Sequence, residues 1–383
     1  MAEKQRRWLL WLIIALLALV AAGLLLRPAA DTHLRAMSLL LRFSDPKASG
    51  FSTSFARHPI REEVGSAQTP EGPLPFRLYI PQNLNHPPAM LLLHGVHHLG
   101  MNEPRLVSFA RALAGTGVEV MTPELQDLAD YRITPKTINV LGDAAVVLSS
   151  KTEEGVGVMG LSFAGGLALM SAARQEYAQK IAFVVAVGAH DDMSRVARFY
   201  ATDTVEKPDG TSAHLEAHEY GVLVLAYSHL DQFFSSRDVP AAQNALRQWL
   251  WEQPQNAEST SLSLSPAGRV EFDELVHHRN PVEQQLMAEI KTHRNEMDAV
   301  SPHGHLAQLH VPVFLLHGSG DTVIPAAETE WLAKDVPAAD LKAELISPAL
   351  IHVSMEETVT LREKWALVDF LAEVLHAADH LEH

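Results

Sequence analysis

Val158-Met159-Gly160-Leu161-Ser162-Phe163-Ala164-Gly165-Gly166 is the stretch on which the reading of this chain turns. Val156–Met159 is a short apolar run of strand type. Phe163–Ala173 is rich in small and apolar residues suited to a buried helix, so Ser162 falls on a strand-to-helix corner. A hydroxyl that attacks a carbonyl must project from the sheet, clear of its own backbone. A sharp corner achieves this, but it strains the serine backbone and leaves no room for side chains two residues before and after it. Gly160 meets that demand, and Ala164 takes the last position, where glycine is the commoner choice. The helix N-terminus beyond the corner favours developing negative charge. The plain alternative is a serine capping an ordinary βα turn.

Short apolar runs alternate with helical stretches on both sides of this corner. Ala89–Leu93, Val118–Met121, Phe183–Val187, Val311–Leu316 and Leu341–Ile346 read as buried strands. Arg105–Ala114 and Thr137–Leu148 read as helices, and so does a final segment with apolar residues at Leu361, Trp365, Val368, Ala372 and Leu375. Strands apolar on both faces with helices between them predict an α/β fold whose mostly parallel central sheet is flanked by helices. Arg57–Ile80, with a Pro/Gly turn in its middle, predicts a hairpin. The alternation stops at Gly188. Residues 190–305 carry helical patterns, Val239–Trp251 and Val282–Met297 among them, with one strand-like run at Gly221–Tyr227. They predict an inserted helical cap, its aromatic residues (Tyr220, Tyr227, Phe233, Phe234, Trp249, Trp251) forming cap core or shaping a pocket. The expected organisation is a membrane-anchor or signal segment at 1–27, a membrane-proximal connector at 28–54 with a short helix near Ser38–Leu41 resting on the membrane or the domain, a first core part at 55–189, the cap at 190–305 and a second core part at 306–383.

Three further motifs supply partners for Ser162. In Leu91-Leu92-Leu93-His94-Gly95-Val96 a strand runs into a loop, where the N–H of Val96 (or of His97) can pair with that of Phe163 as an oxyanion hole. In Leu315-Leu316-His317-Gly318-Ser319-Gly320-Asp321, the aspartate lies just past a strand, where a carboxylate can fix a histidine tautomer. Its plain alternative is a cap for the helix starting near Ala326. His352 follows the last strand and suits a general base. Asp191 and Asp192, after Phe183–Val187, compete with Asp321 for the acid role.

With its elbow, its HG loop and its HGSGDTVIP segment, the chain from about 55 to 380 resembles the α/β-hydrolase superfamily with an inserted cap. The order Ser162…Asp321…His352 is that of the superfamily. The resemblance implies a Ser-His-Asp triad, a covalent acyl-enzyme and no cofactor. Ala164, and the HGVHHLG loop with its His97-His98 pair, depart from the commoner pattern.

Composition narrows the partners. Forty-six acidic against 30 basic residues give a formal charge of −16, which disfavours nucleic acid. The absence of cysteine excludes disulfides, Cys-ligated zinc and a thiol nucleophile. The pairs His277/His278 and His303/His305 lack acidic or thiol ligands at matching spacing, so no metal is expected. Trp8–Leu26 is uncharged and would span about 28 Å as a helix, close to the bilayer core. Lys4, Arg6 and Arg7 precede it. The run exceeds a usual signal-peptide core and predicts a retained anchor with the catalytic domain exported, periplasmic in a bacterium; the alternative is a cleaved signal giving a secreted form. The expected activity is hydrolysis of carboxylic esters, small or lipid-like. The alternatives are a peptidase, thioesterase or acyltransferase using the same triad, or a catalytically idle fold that binds.

Overall fold

Residues 29–152, 155–277, 279–351, 354–355 and 359–382 are described by a computed structural model of the chain. The first structured segment is helical at 29–44 (α1). A hairpin follows, β1 (Ile60–Thr69) with β2 (Gly72–Pro81), then β3 (Ala89–Leu93), α2 (Pro104–Gly115) and β4 (Glu119–Pro123). Next come α3 (Gln126–Ala129), α4 (Pro135–Ser149), β5 (Val156–Leu161), α5 (Phe163–Ala172) and β6 (Ile181–Val187). The cap begins with α6 (Met193–Thr202), a small hairpin of β7 (Thr204–Glu206) with β8 (Ser212–His214), and α7 (Glu219–Ser228). It continues through α8 (Val239–Leu250), α9 (Pro254–Ser261), α10 (Pro266–His277), α11 (Arg279–Thr292) and α12 (Arg294–Asp298). The chain then returns to the core as β9 (Val313–Gly318), α13 (Ala327–Asp335), β10 (Leu341–Ser347) and α14 (Leu361–Asp379).

The apolar runs become strands because each buries both faces. In β3, Leu91 and Leu93 join one buried cluster while Met90 and Leu92 join the other. In β6, Val184 and Ala186 face one way, and Phe183, Val185 and Val187 the other. The eight long strands form one sheet in the order β1-β2-β4-β3-β5-β6-β9-β10. Only β2 opposes its neighbours; the pairings from β4 to β10 are all parallel. Strand order reverses at β3, with β4 on one side and β5 on the other, so a crevice opens at the carboxyl ends of β3 and β5, where ligands of such sheets collect. One face of the sheet carries α4, α5 and the cap; the other carries α1, α2 and α14. Local signals fix the helix starts. Glu103 accepts from Leu106 N–H at 2.7 Å ahead of α2, and Thr360 with Glu363 forms a capping box on α14.

Two expectations change. The fold begins before residue 55: the helix expected to rest on the membrane or the domain is longer and packs on the domain, where α1 buries Ala36 and Leu39, and Arg35 donates to Asp379 Oδ2 at 2.6 Å and to the Thr116 carbonyl at 3.0 Å. Its apolar residues are spaced to cover α2 and α14, so it serves as a wall of the core. Gly221–Tyr227 is helical, within α7, and not a strand. Val222 through Tyr227 are all buried, and a segment apolar all round carries no periodicity that separates helix from strand. Among the described residues no helix is long and apolar enough to cross a membrane; the run Trp8–Leu26 lies outside them.

If α1 is core, Leu39→Ala removes a fully packed side chain and lowers the unfolding free energy by about 2–5 kcal/mol in urea titrations. A detached connector would show no change.

Candidate active site

The corner at Ser162 is distorted. The residue sits at φ 56°, ψ −135°, a region costly for a side chain bearing a β-carbon. Its N–H donates to the Val187 carbonyl at 2.7 Å, which ties the corner to β6. Its side chain caps nothing, so the capping alternative is not what the structure displays. The corner closes because its neighbours lack side chains. A Cβ on Gly160 would lie 2.6 Å from the Ala164 carbonyl oxygen, and one on Gly165 would lie 2.9 Å from Ala189 Cβ. Ala164 itself fits, fully buried, because it is the backbone at this position, not the side chain, that crowds Gly160.

The loop after β3 lies directly over the serine. A Cβ on Gly95 would come 3.1 Å from Ser162 Cβ. Leu125 N–H donates to His94 Nε2 at 2.9 Å, so the ring proton sits on Nδ1 and is donated to the Gly95 carbonyl at 2.7 Å. The peptides here are trans, so a Gly95 carbonyl turned toward His94 sends the Val96 N–H the opposite way. No backbone hydrogen bond among the described residues uses that N–H. Phe163 is the first residue of α5, where the N–H has no helical partner. Tyr220, from α7 of the cap, donates its hydroxyl to the Val96 carbonyl at 2.6 Å and holds the next peptide as well. Burial drives His94 down to about 4, so the ring stays neutral and keeps this tautomer.

Asp321 lies on the turn after β9, fully buried. Its Oδ1 accepts from Val323 N–H at 2.8 Å and Ile324 N–H at 3.0 Å, and its Oδ2 lies 3.4 Å from His317 Nε2. It does not cap the helix after it, whose N-cap is Ala326. His352 lies outside the described residues. Asp191 and Asp192 serve the cap's point of departure. Asp191 Oδ2 accepts from Arg195 at 2.8 Å, Arg195 also donates to Glu328 at 2.6 Å, and Glu328 accepts both the Asp191 and Asp192 N–H groups. Asp192 Oδ1 caps α6. Burial pushes the Asp191 carboxyl up to about 7 despite Arg195.

These loops enclose a cavity of about 590 Å³ between the sheet and the cap, lined by Ser162, Val96, Phe163, His218, Tyr220 and Val323 among others. The Asp321 turn reaches it through Val323. His97 lines it too, stacked on His98 at 4.7 Å, and burial lowers its pKa. Trp249 and Tyr220 line the cavity, whereas Tyr227, Phe233 and Phe234 are cap core. Sequence reasoning missed the clamps on the Val96 peptide. His94 stood in the quoted motif, but nothing in the sequence places Leu125 or Tyr220 beside it. Among the described residues, two groups elsewhere bring three ligand-type atoms within 4.8 Å of one another: His229, His293 and Glu296 in the cap, and Asp191, His303 and Asp335 at its return to the core. The second sits beside the Arg195 guanidinium, which opposes a cation.

A single antiparallel strand at the second sheet position, a left-handed serine corner after the fifth strand, and a glycine loop packed over that serine fit the arrangement expected of an α/β-hydrolase fold. No family model matches the sequence, and neither does any curated protein. Among solved structures, the chain is similar to 2,6-dihydroxy-pseudo-oxynicotine hydrolase (18% identity, TM-score 0.44, 82% of this chain and 68% of that one). It is similar as well to an esterase of Pyrobaculum calidifontis (15%, 0.45, 91% and 92%). A third is brefeldin A esterase, a bacterial homologue of human hormone-sensitive lipase (13%, 0.45, 91% and 84%). These likenesses are distant, and the chemistry of the site rests on its own geometry.

The His94 assignment has a pH signature. Its folded pKa lies below the unfolded value of about 6.5, so the unfolded chain binds the extra proton as pH falls. Stability owed to the neutral ring is complete above about 6.5 and declines by about 3 kcal/mol toward pH 4. Urea titrations across this range will show a shallower slope in His94→Asn than in wild type; equal slopes would contradict the assignment.

Proposed function

We propose that the protein is a serine hydrolase that cleaves carboxylic esters through an acyl-enzyme. The observation that carries the reading is Ser162, held at a left-handed corner on the floor of the 590 Å³ cavity, with the Val96 peptide turned by His94. Ser162 Oγ attacks the ester carbonyl as His352 takes its proton, and the oxyanion is met by the N–H groups of Val96 and Phe163. The carbon–oxygen bond to the alcohol breaks, and His352 returns the proton to the leaving oxygen. Water then repeats the attack, releasing the carboxylic acid and restoring Ser162. Asp321 holds the imidazole tautomer and stabilises the imidazolium. No cofactor enters this scheme. A thioesterase, peptidase or acyltransferase would run the same steps with another leaving group or acceptor. The run Trp8–Leu26 anchors the enzyme at a membrane with its catalytic domain exported, and the anchor is tested by resistance of the full chain to alkaline extraction.

Hydrolysis of p-nitrophenyl acetate tests the roles. Ser162→Ala and His352→Ala will each lose at least about a thousandfold in kcat while remaining folded by circular dichroism. Asp321→Asn will fall by a similar order, and Asp192→Asn by far less. Near-wild-type activity of Asp321→Asn would move the acid elsewhere.

A further inference from the structure

Four side chains of metal-binding chemistry meet in the cap, at the opposite end of α7 from Tyr220. His229 follows the last residue of α7, and Glu289 lies on α11. His293 and Glu296 stand one helical turn apart where α12 starts, so they share one face. The rings of His229 and His293 stack with centroids 3.6 Å apart. His229 Nδ1 lies 2.6 Å from Glu289 Oε1, and its Nε2 lies 3.3 Å from Glu296 Oε2. His293 Nδ1 lies 3.0 Å from Glu296 Oε1. Glu289 is fully buried, and its Oε2 has no hydrogen-bond partner among the described residues; nor has the buried Nε2 of His293. Among the described residues no lysine or arginine pairs with either carboxylate. A carboxylate buried on these terms requires a positive charge close by.

Proton positions narrow the choice of charge. At 2.6 Å from a carboxylate, His229 Nδ1 carries the hydrogen and donates it, which leaves a lone pair on Nε2. That lone pair faces an oxygen of Glu296, and two acceptors at 3.3 Å repel unless a cation lies between them. A proton is one such cation, but an imidazolium–carboxylate hydrogen bond is shorter, at about 2.7–2.9 Å. The separation instead matches two ligands of a tetrahedral zinc ion, which lie about 3.4 Å apart when each is about 2.1 Å from the metal. A carboxylate on the far ring nitrogen, as Glu289 provides for His229, is the usual outer partner of a zinc-bound histidine. Glu296 is 69% exposed and leaves a way in for the ion.

We propose that His229, His293 and Glu296 bind zinc, with water as the fourth ligand and Glu289 as the positioning residue that fixes the His229 tautomer. Two imidazoles and a carboxylate suit zinc, whereas magnesium and calcium take oxygen donors. None of the four residues lines the Ser162 cavity, so the site is structural, and the inference needs no claim about Ser162. The ion ties the end of α7 to the junction of α11 and α12. The first turn of α7 carries Tyr220, the residue that holds the Val96 carbonyl. Spacing in the sequence could not reveal the set, since Glu296 lies 67 positions from His229.

The experiment is titration of the full chain, in detergent and stripped of metal with EDTA, with zinc chloride. Binding is read by calorimetry and by thermal unfolding. One equivalent will bind saturably and raise the unfolding temperature by about 3 °C or more, and magnesium will do neither. His293→Ala and Glu296→Gln will each weaken zinc binding at least about a hundredfold with circular dichroism unchanged. Glu289→Gln keeps an acceptor for Nδ1 and will weaken binding about tenfold. Without zinc it will unfold no earlier than wild type, a split that a purely structural carboxylate would not give. His303→Ala, in the other histidine–aspartate group, will keep the full equivalent. Folded wild type that takes up no zinc saturably overturns the proposal and leaves a proton between His229 and Glu296. Uptake that persists unchanged when His293→Ala and Glu296→Gln are combined places the metal elsewhere and overturns it as well.

Discussion

The site depends on one close approach: the backbone at Ala164 and Gly165 lying against Gly160. With that contact, α5 leaves the sheet at a right-handed helix start only if Ser162 turns through the left-handed region, at a cost of about 1–3 kcal/mol. The cost is offset by packing. Phe163, Ala164, Leu167 and Ala168 are all buried, and the Ser162 N–H is held by the β6 carbonyl of Val187. Any side chain at 160 separates helix from strand, and the serine then relaxes into an ordinary turn.

The second layer of constraint comes from peptides, not side chains. His94 fixes the carbonyl of Gly95 and Tyr220 that of Val96, so two consecutive peptide planes over Ser162 are held from the core below and from the cap above. The cap is thereby coupled to the catalytic loop. It is also tied at its root, where Arg195 bridges Asp191 and Glu328, and His303 N–H returns to the Asp191 carbonyl.

Much of this was legible in the sequence, and the failures have physical causes. The strands and the corner announced themselves because runs such as Leu91–Leu93 are apolar on both faces, and because Val156–Met159 runs straight into Gly160. α1 reads as a connector because its partners, Thr116 and Asp379, lie 81 and 344 residues away, and no local pattern encodes them. Gly221–Tyr227 reads as a strand because complete burial erases the helical period. The peptide clamps were illegible for the same reason as α1: Leu125 and Tyr220 meet the HG loop only through the fold.

Everything proposed for the site requires that the corner place a nucleophile at Ser162. Treating the folded protein with a fluorophosphonate and mapping the adduct by peptide mass spectrometry tests this most directly. One adduct is expected, on the peptide bearing Ser162, absent from Ser162→Ala. Label on another residue, or none on folded protein, would contradict it.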